Sequence, residues 1–389
     1  MKTRNFRRER GRGYPNSQFS GRYLASANAI EVSFPIMSSR LDSLFLLVVI
    51  LGSTILHAQN TPADALLVLS KSGQTLAIVD PSSLKAIVRI PVGNDPHEVI
   101  ASTDGKTAYV SNYGFGAYNT LAVVDLVGQK ALPSIDLGAL RDPHGLDFVG
   151  GKVWFTAEAA KAIGSYDPAT QKIDWILGTG QNRTHMIYVW PDLKRIVTTN
   201  VNSGTVSIIE KIVGGGPGGP PLGTMGGGGG RGNPAPRRPS DWDETVVAVG
   251  NGAEGFDVSP DGKEIWVANA QDGTVSIIDV SSKTVTQTLA ADVGGANRLK
   301  FTPDGKLVLI SSLGQPDLTV IDSATRKTIK RIPVGHGAAG ILVQPDGSRA
   351  FVACTPDSYV AVIDLHSLEV AGHIDAGENP DGLAWATRH

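Results

Sequence analysis

Short apolar runs separated by turn sequences recur along the chain from about residue 60 onward. In the stretch 260–284, PDGKEIWVANAQDGTVSIIDVSSKT, a Pro-Asp-Gly turn precedes one run and a Gln-Asp-Gly turn precedes the next. Apolar residues alternate with small or polar ones, and Val and Ile are enriched, which predicts the two strands of a short β-hairpin. The same arrangement is found elsewhere in the chain, so this hairpin belongs to a repeating unit.

Seven copies of the unit can be aligned. Their second strands begin near Leu66, Thr107, Lys152, Arg195, Glu264, Leu307 and Arg349. Each is followed by a third strand that ends in or near an acidic residue, at Asp80, Asp125, Asp167, Glu210, Asp279, Asp322 and Asp364. A fourth strand and the first strand of the next unit complete a period of about 40–47 residues, which is typical of a propeller blade.

The two ends of the repeat region complement each other. The chain enters the repeat at a second strand, and the C-terminal segment Asp381–His389 is interpreted as a first strand. This strand would complete the first blade and leave no open sheet edge. The pattern therefore predicts an all-β, seven-bladed β-propeller with four antiparallel strands per blade, over residues 59–389.

Several motifs within the repeat resemble those of a known family. They are YVSN at Tyr109–Asn112, the PDGK turns at Pro260 and Pro303, the VSIID-type third strand and the IPVG segments at Ile90 and Ile332. Together they resemble the YVTN family of β-propellers, which includes YncE-like and archaeal surface-layer proteins, over nearly all of the chain after residue 60. The resemblance implies a fold and not a function, because propellers serve as binding modules and as enzymes.

The segment before the repeat divides into two parts. Residues 1–36 are rich in arginine and poor in apolar residues, and we interpret them as a disordered extension from an overextended gene start, with a long leader as the alternative. Residues 37–58 contain Arg40, the apolar run Leu44–Gly52, and Ala58 before Gln59, which predicts a secretory signal peptide. The apolar run is short for a membrane span. We therefore expect an exported protein, periplasmic, surface-held or secreted, with no transmembrane span in the mature chain.

One segment interrupts the repeat. Residues 214–241 consist mostly of glycine and proline, so they cannot bury enough apolar surface to order themselves. They fall between the third and fourth strands of the fourth blade. We expect a disordered surface insertion, with a tether to cell-wall material as the alternative.

Charge and cysteine content narrow the range of partners. Residues 1–58 carry 8 of the 35 basic residues and 3 of the 37 acidic ones, which leaves 27 basic against 34 acidic residues and a formal charge of −7 in the mature chain. An acidic propeller without a basic stripe argues against nucleic acid as a partner. The single cysteine, Cys354, excludes an intramolecular disulfide and is expected to be a buried apolar residue. A monomer is expected.

The most informative positions are the starts of the first strands. Aligned by register, these starts read DPHEV, DPHGL, RTHMI, GAEGF, GANRL, AAGIL and NPDGL. When the window of AAGIL is started at Gly337, the third aligned position is occupied by His97, His144, His185, Glu254, Asn297, Ala339 and Asp381. In a propeller the first strands surround the central channel, so these side chains are expected to face a common axis at one mouth. Three of the eight histidines of the chain occupy this single register.

Imidazoles and carboxylates that converge on one axis can bind a metal ion. His97, His144, His185 and Glu254 come from consecutive blades and form a candidate site for zinc, copper or iron. The alternative is a ring of solvated polar residues that binds no metal or that holds a small polar ligand. The recurring Asp-Gly pairs, in contrast, are interpreted as tight turns and not as calcium sites.

Neighbouring loops are expected on the same face as the ring. Loops between second and third strands share a face with those between fourth and first strands, so Tyr113 and Tyr118 of the loop Asn112–Asn119 could wall a pocket there. Arg298 and His336 are candidate anion contacts on that face.

Two functions are consistent with these features. The leading hypothesis is a non-catalytic, exported propeller that binds a small molecule, a protein or a cell-envelope component at the channel mouth. The alternative is a metal-assisted hydrolase, since the chain also distantly resembles seven-bladed lactonases; the ring would then activate water, with Glu254 or Asp381 as the base. No nucleophile elbow, phosphate loop or haem attachment motif is found in the sequence.

Overall fold

The computed structural model describes residues 60–212 and 242–389, which form seven four-stranded antiparallel sheets arranged as the blades of a propeller. The predicted fold class is confirmed. The extension predicted for residues 1–36, the signal peptide predicted for residues 37–58 and the insertion predicted for residues 214–241 lie outside the described residues. None of the described helices is long and apolar enough to cross a membrane.

The first and second strands form the inner half of each blade. The first strands are β4 (Pro96–Ala101), β8 (Pro143–Val149), β12 (Thr184–Val189), β16 (Ala253–Val258), β20 (Ala296–Phe301), β24 (Ala338–Val343) and β28 (Pro380–Thr387). The second strands are β1 (Asp64–Ser70), β5 (Thr107–Asn112), β9 (Lys152–Ala157), β13 (Arg195–Asn200), β17 (Glu264–Asn269), β21 (Leu307–Ser312) and β25 (Arg349–Cys354). Each first strand contacts the first strands of both neighbouring blades, so together they line the central channel.

The third and fourth strands form the outer half. The third strands are β2 (Thr75–Asp80), β6 (Thr120–Asp125), β10 (Ala162–Asp167), β14 (Thr205–Lys211), β18 (Thr274–Asp279), β22 (Asp317–Asp322) and β26 (Tyr359–Asp364). The fourth strands are β3 (Lys85–Pro91), β7 (Lys130–Asp136), β11 (Lys172–Gly178), β15 (Trp242–Ala248), β19 (Thr284–Leu289), β23 (Lys327–Pro333) and β27 (Glu369–Ile374). Two single-turn 3₁₀ helices, Gly114–Gly116 and Val201–Ser203, follow β5 and β13.

The chain ends are joined within one blade. Strand β28 pairs antiparallel with β1, with Leu66 opposite Trp385 and Val68 opposite Leu383. The first blade therefore takes three strands from the start of the repeat and one from its end, as the sequence predicted. This pairing closes the ring through backbone hydrogen bonds and leaves no unpaired inner strand.

The core lies between the blades and not within a single sheet. In β1, the residues from Leu66 to Leu69 are all fully buried, because each face of the blade packs against a neighbouring blade. Strands that are buried on both faces need apolar residues at consecutive positions. This explains why the second strands read as continuous apolar runs, whereas the outer strand β11 alternates between exposed and half-buried positions.

Candidate functional site

The first-strand positions predicted from the alignment lie in β-bulges at one mouth of the channel. In β4, Pro96 pairs with Asn112 and Val99 pairs with Val110, so His97 and Glu98 together oppose Ser111. The same shift in register occurs in the first strand of every blade. A bulge turns a side chain out of the regular pleat. We call the seven predicted residues the inner ring: His97, His144, His185, Glu254, Asn297, Ala339 and Asp381.

Buried hydroxyl groups on the second strands hold this backbone in place. Thr156 accepts a hydrogen bond from Gly145 N–H at 2.9 Å and donates one to the carbonyl of His185 at 2.7 Å. Thr199 likewise donates to the carbonyl of Glu254 at 2.9 Å, and Ser311 to that of Ala339 at 2.6 Å. Because each of these hydroxyls reaches the next blade, it fixes the position of one inner-ring residue relative to its neighbour.

A second set of residues faces the same mouth. The residue directly after each second strand donates its backbone N–H to the carbonyl of the residue that precedes the neighbouring first strand. These donors are Lys71, Tyr113, Glu158, Val201, Ala270, Leu313 and Thr355, at donor–acceptor distances of 2.8–3.2 Å. We call them the upper ring. Their acceptors all have positive φ; they are Asn379, Asp95, Asp142, Arg183, Gly252, Gly295 and Gly337.

His144 is the most unusual residue of the inner ring. Its exposed fraction is 0%, and neither ring nitrogen has a hydrogen-bond partner in the part of the chain that the structure describes. Its ring centroid lies 3.8 Å from that of His185, 4.5 Å from that of His97 and 5.1 Å from that of Tyr113. Burial, with the nearby charges of His185 and His97, lowers the pKa of His144 well below its ordinary value, so the imidazole is neutral.

His185 is buried beside His144 in the opposite electrostatic environment. Its Nδ1 hydrogen bonds Glu158, and its Nε2 lies 2.9 Å from Glu254 Oε1 without the alignment of a hydrogen bond. Burial alone would lower the pKa of His185, but Glu254 and Glu158 raise it. Burial likewise opposes ionisation of Glu254, yet His185 and Arg183 lower its pKa to about 2. The protonated ring of His185, held between two carboxylates, therefore packs directly against the neutral ring of His144.

Glu158 belongs to the upper ring and was missed by the sequence analysis. Its Oε2 accepts a hydrogen bond from the Tyr113 hydroxyl at 2.6 Å and lies 3.4 Å from Arg183 Nε. Burial raises the pKa of Glu158, but His185, Tyr113 and Arg183 together hold it below its ordinary value. Among the described residues, His144, Glu158 and His185 form a group that could hold a metal ion, because their ligand atoms lie within 4.8 Å of one another. Two residues of the predicted metal set, His97 and Glu254, are not in this group.

On the side of His144 away from His185, His97 is held by charged neighbours. Lys71 Nζ lies 2.7 Å from His97 Nδ1, 3.1 Å from Asp381 Oδ2 and 3.4 Å from Asp95 Oδ1. The His97 side chain and the Lys71 ammonium hold the pKa of Asp95 well below its usual range. This half of the inner ring is therefore an ion-pair network.

A cavity of about 380 Å³ opens at this mouth. Its floor and walls include Lys71, His97, Tyr113, Arg183, Glu254, Asn297, Ala339 and Asp381. Its rim is apolar: Phe115, which is 79% exposed, and Leu313, which is 55% exposed, stand beside Pro356. Asn297 Oδ1 is buried and has no hydrogen-bond partner among the described residues. The cavity thus combines an acceptor-rich interior with an apolar entrance.

Arg298 does not line the cavity, contrary to the expectation of a ligand contact on the face. It is 4% exposed and forms an ion pair and hydrogen bond with Glu98. These two residues come from the second and sixth blades, which are not neighbours, so the pair crosses the channel one residue further along the strands than the inner ring. Buried ion pairs of this kind hold fixed positions.

Other predicted residues have varied positions. Tyr113 and Asn297 lie on the cavity wall, whereas Tyr118 is absent from it and its ring packs against Gly114. His336 is exposed and its Nδ1 lies 3.2 Å from Asp357 Oδ1. Cys354 is fully buried among apolar residues, as predicted. The structure thus gathers most of the predicted set at one mouth and adds Lys71, Glu158 and Arg183.

Comparison with known proteins supports the fold. A family model described as "YNCE-like beta-propeller" matches residues 237–349, which confirms the predicted resemblance. No curated protein sequence matches the chain.

Solved structures share the architecture at low sequence identity. A functionally unknown protein from Desulfotomaculum acetoxidans is 14% identical with a TM-score of 0.65, and the match covers 84% of this chain and 99% of that one. A structure from Bacteroides uniformis, described as "a putative 6-phosphogluconolactonase", is also 14% identical with a TM-score of 0.65, over 84% and 100% of the two chains. Hydrazine synthase from Kuenenia stuttgartiensis is 18% identical with a TM-score of 0.60, over 77% and 92%. Likenesses at this level of identity show the fold alone.

Proposed function

From the seven-bladed β-propeller fold, within which residues 237–349 match the YNCE-like family model, we propose that this chain is an exported, non-catalytic binding protein for a small organic molecule held at the channel mouth. The observation that carries the proposal is the cavity of about 380 Å³, which is lined by residues from six of the seven blades, most of them members of the inner and upper rings. A concave, largely pre-formed site with few fixed polar groups is the usual form of a small-molecule site.

The chemistry of the wall indicates the class of ligand. Two carboxylates line the cavity, Glu254 and Asp381, and beside them the buried Asn297 Oδ1 has no hydrogen-bond partner among the described residues; all three side chains offer acceptors. The cations Lys71 and Arg183 are already paired with carboxylates. The cavity therefore favours a ligand that donates hydrogen bonds, such as an amine or a polyhydroxylated compound, with an apolar part that contacts Phe115 and Leu313 at the rim.

A binding screen with a cavity-filling variant tests this proposal. The mature chain would be titrated with ethanolamine, putrescine, glucose and succinate, and the thermal midpoint and heat of binding would be measured. Donor-rich ligands should stabilise the protein, and succinate should not. Ala339→Trp, which fills the cavity, should abolish the effect, while the control Ser348→Trp, on an exposed turn, should retain it. Equal responses of both variants would refute the proposed site.

A second candidate function, hydrolysis, is favoured by one specific observation. Glu254 lines the cavity and lies 2.9 Å from the buried His185, so this carboxylate can exchange a proton with a bound substrate while His185 stands behind it. The fold is shared with the structure described as "a putative 6-phosphogluconolactonase". Lactone hydrolysis by the wild-type protein that is lost in His185→Gln, with folding retained, would replace the binding hypothesis; no turnover of 6-phosphogluconolactone or simple aldonolactones would leave binding as the function.

Export and a monomeric state are also part of the proposal. Export is supported by the signal-like residues 37–58. N-terminal sequencing of protein from fractionated cells should give a start at Gln59 in the exported fraction, and light scattering should give the mass of one chain. A cytoplasmic protein that retains residues 37–58 would contradict the export proposal.

A further inference from the structure

The strongest unexplained feature of the molecule is the fully buried imidazole of His144. Neither of its ring nitrogens has a hydrogen-bond partner among the described residues, whereas the Tyr113 hydroxyl, the Glu158 carboxylate and His185 Nδ1 beside it are hydrogen bonded. A buried donor or acceptor without a partner destabilises the folded state. A neutral imidazole with a free ring nitrogen is also the form in which histidine binds a metal ion.

We propose that His144, Glu158 and His185 bind a divalent first-row transition ion. One nitrogen of each imidazole and one Glu158 oxygen lie within 4.8 Å of one another, and all three residues are buried. Two imidazoles and one carboxylate form a donor set that suits zinc and ferrous iron, whereas calcium and magnesium require mainly oxygen ligands. This set differs from the one predicted by the sequence, His97, His144, His185 and Glu254.

The residues behind these ligands are arranged to orient them. Glu254 Oε1 lies 2.9 Å from His185 Nε2, which leaves Nδ1 of that ring on the side of Glu158. Tyr113 and Arg183 both contact Glu158 Oε2, which leaves Oε1 on the side of His185. Carboxylates behind a metal-bound histidine and hydrogen bonds to a metal-bound carboxylate are usual partners of such ligands. Coordination through His185 Nδ1 would release to solvent the proton that this nitrogen shares with Glu158 Oε1.

His97 is excluded from the metal set by its own contacts. Its Nδ1 lies 2.7 Å from Lys71 Nζ, and an ammonium group beside a ring nitrogen opposes a second cation at that atom. The wider charge balance favours a cation near His144. Six carboxylates at this mouth stand against three permanently charged cations; the acidic residues are Asp95, Glu98, Asp142, Glu158, Glu254 and Asp381, and the basic ones are Lys71, Arg183 and Arg298.

The ion would lie directly behind the cavity wall. His97, Tyr113, Arg183 and Glu254 line the cavity and also contact the proposed ligands or lie beside them. The claim that an organic ligand in the cavity approaches the ion rests on the proposed function, whereas the metal site itself does not. Occupancy by the ion itself can be measured without any organic ligand.

Zinc titration of chelator-treated protein tests the inference. Calorimetry should show one zinc ion per chain, and cobalt should give the visible absorption of a site with nitrogen and oxygen ligands. His144→Ala and Glu158→Gln should weaken zinc binding by more than about 100-fold, since loss of partners behind a ligand alone costs about 10–100-fold. His97→Ala, from the same arc of histidines, and His336→Ala, on the surface, should bind zinc as the wild type does. Calcium should not compete.

The outcomes separate this inference from the proposed function. Circular dichroism would establish that each variant folds, and Glu158→Gln, which keeps the side-chain shape, would decide the matter if His144→Ala does not fold. Absence of zinc binding in the wild type, or equal losses in His97→Ala and His144→Ala, would overturn the metal site. The binding screen on metal-free protein would then still report on the organic ligand, because Ala339→Trp blocks the cavity without touching the proposed metal ligands.

Discussion

Two neighbouring histidines should respond in opposite directions to the same substitution. In metal-free protein, His144→Leu removes two buried nitrogens that have no partner, while His185→Leu removes the group that lies between two carboxylates. We expect the first change to raise the free energy of unfolding and the second to lower it. The rings are in contact, with centroids 3.8 Å apart, so packing differences between the two sites are small.

The expected magnitudes follow from these contacts. His144 is neutral, and each unmet polar group costs about 1–3 kcal/mol when buried. An imperfect fit of leucine costs up to about 1.5 kcal/mol, so a net gain of about 1–3 kcal/mol is expected. For a folded region of about 300 residues, a gain of 2 kcal/mol raises the midpoint of thermal unfolding by about 3 °C. His185→Leu leaves Glu158 and Glu254 buried beside an apolar residue and should cost about 3–5 kcal/mol.

Urea denaturation and calorimetry in the presence of EDTA measure both variants against the wild type. The chelator is essential, because a bound ion would stabilise the wild type alone. A loss of more than about 1 kcal/mol in His144→Leu would refute the reasoning, since it would show that the ring nitrogens of His144 make favourable contacts in the metal-free protein.

Three further predictions concern other parts of the fold. Gly340→Ala should destabilise the protein by about 3 kcal/mol, because the added Cβ would lie 2.2 Å from the carbonyl oxygen of Asp381. The control Gly178→Ala, whose Cβ would have no atom within 4 Å, should be tolerated. Equal melting midpoints of the two variants would contradict this prediction. Glu254→Gln should lower the free energy of unfolding of the metal-free protein by about 2–3 kcal/mol at pH 7. This difference should shrink as the pH falls from 4.5 towards 2, because the lowered pKa of Glu254 stabilises the folded state only while the group is ionised. A difference independent of pH would count against the prediction. Cys354, whose pKa burial raises to about 12, should react with a thiol reagent only in denaturant, and rapid labelling of the folded protein would contradict its buried position.

The fold could be predicted because the repeat carries redundant information. Seven alignable units, each with an apolar second strand and a turn such as Pro260–Gly262, leave few alternative architectures. The pairing of β28 with β1 could be predicted because the repeat region begins at a second strand and ends at a first strand. The inner ring could be predicted for the same reason, since residues at one register of a repeat lie at one level of the channel.

Glu158 and Arg183 were missed because only one register was aligned. The same alignment applied to the residue after each second strand gives the upper ring, in which Glu158 is the single acidic member and Lys71 the single basic one. Arg183 occupies a position of positive φ at which three other blades have glycine. Both signals were present in the sequence. The sequence did not show that these residues form one cluster, because that depends on the directions of side chains in two different blades.

The position of Arg298 shows a different limit. Its register places it one residue beyond Asn297, but only the bulge and the closed channel explain why its side chain pairs with Glu98 and not with a ligand. Similarly, Tyr113 and Tyr118 are close in sequence, but only Tyr113 lines the cavity, and the backbone between them has positive φ at three successive residues, 114–116. Sequence periodicity does not contain such local reversals.

The most direct test of the account is the electron density in the channel-mouth cavity of crystals grown from protein purified from its own cells without chelator. The account predicts a bound non-protein molecule in the cavity near Asn297 and Glu254, with an anomalous peak between His144, Glu158 and His185 if the metal inference also holds. Solvent alone in the cavity, with an ordered ligand on another face of the propeller, would contradict the claim that this mouth is the functional site.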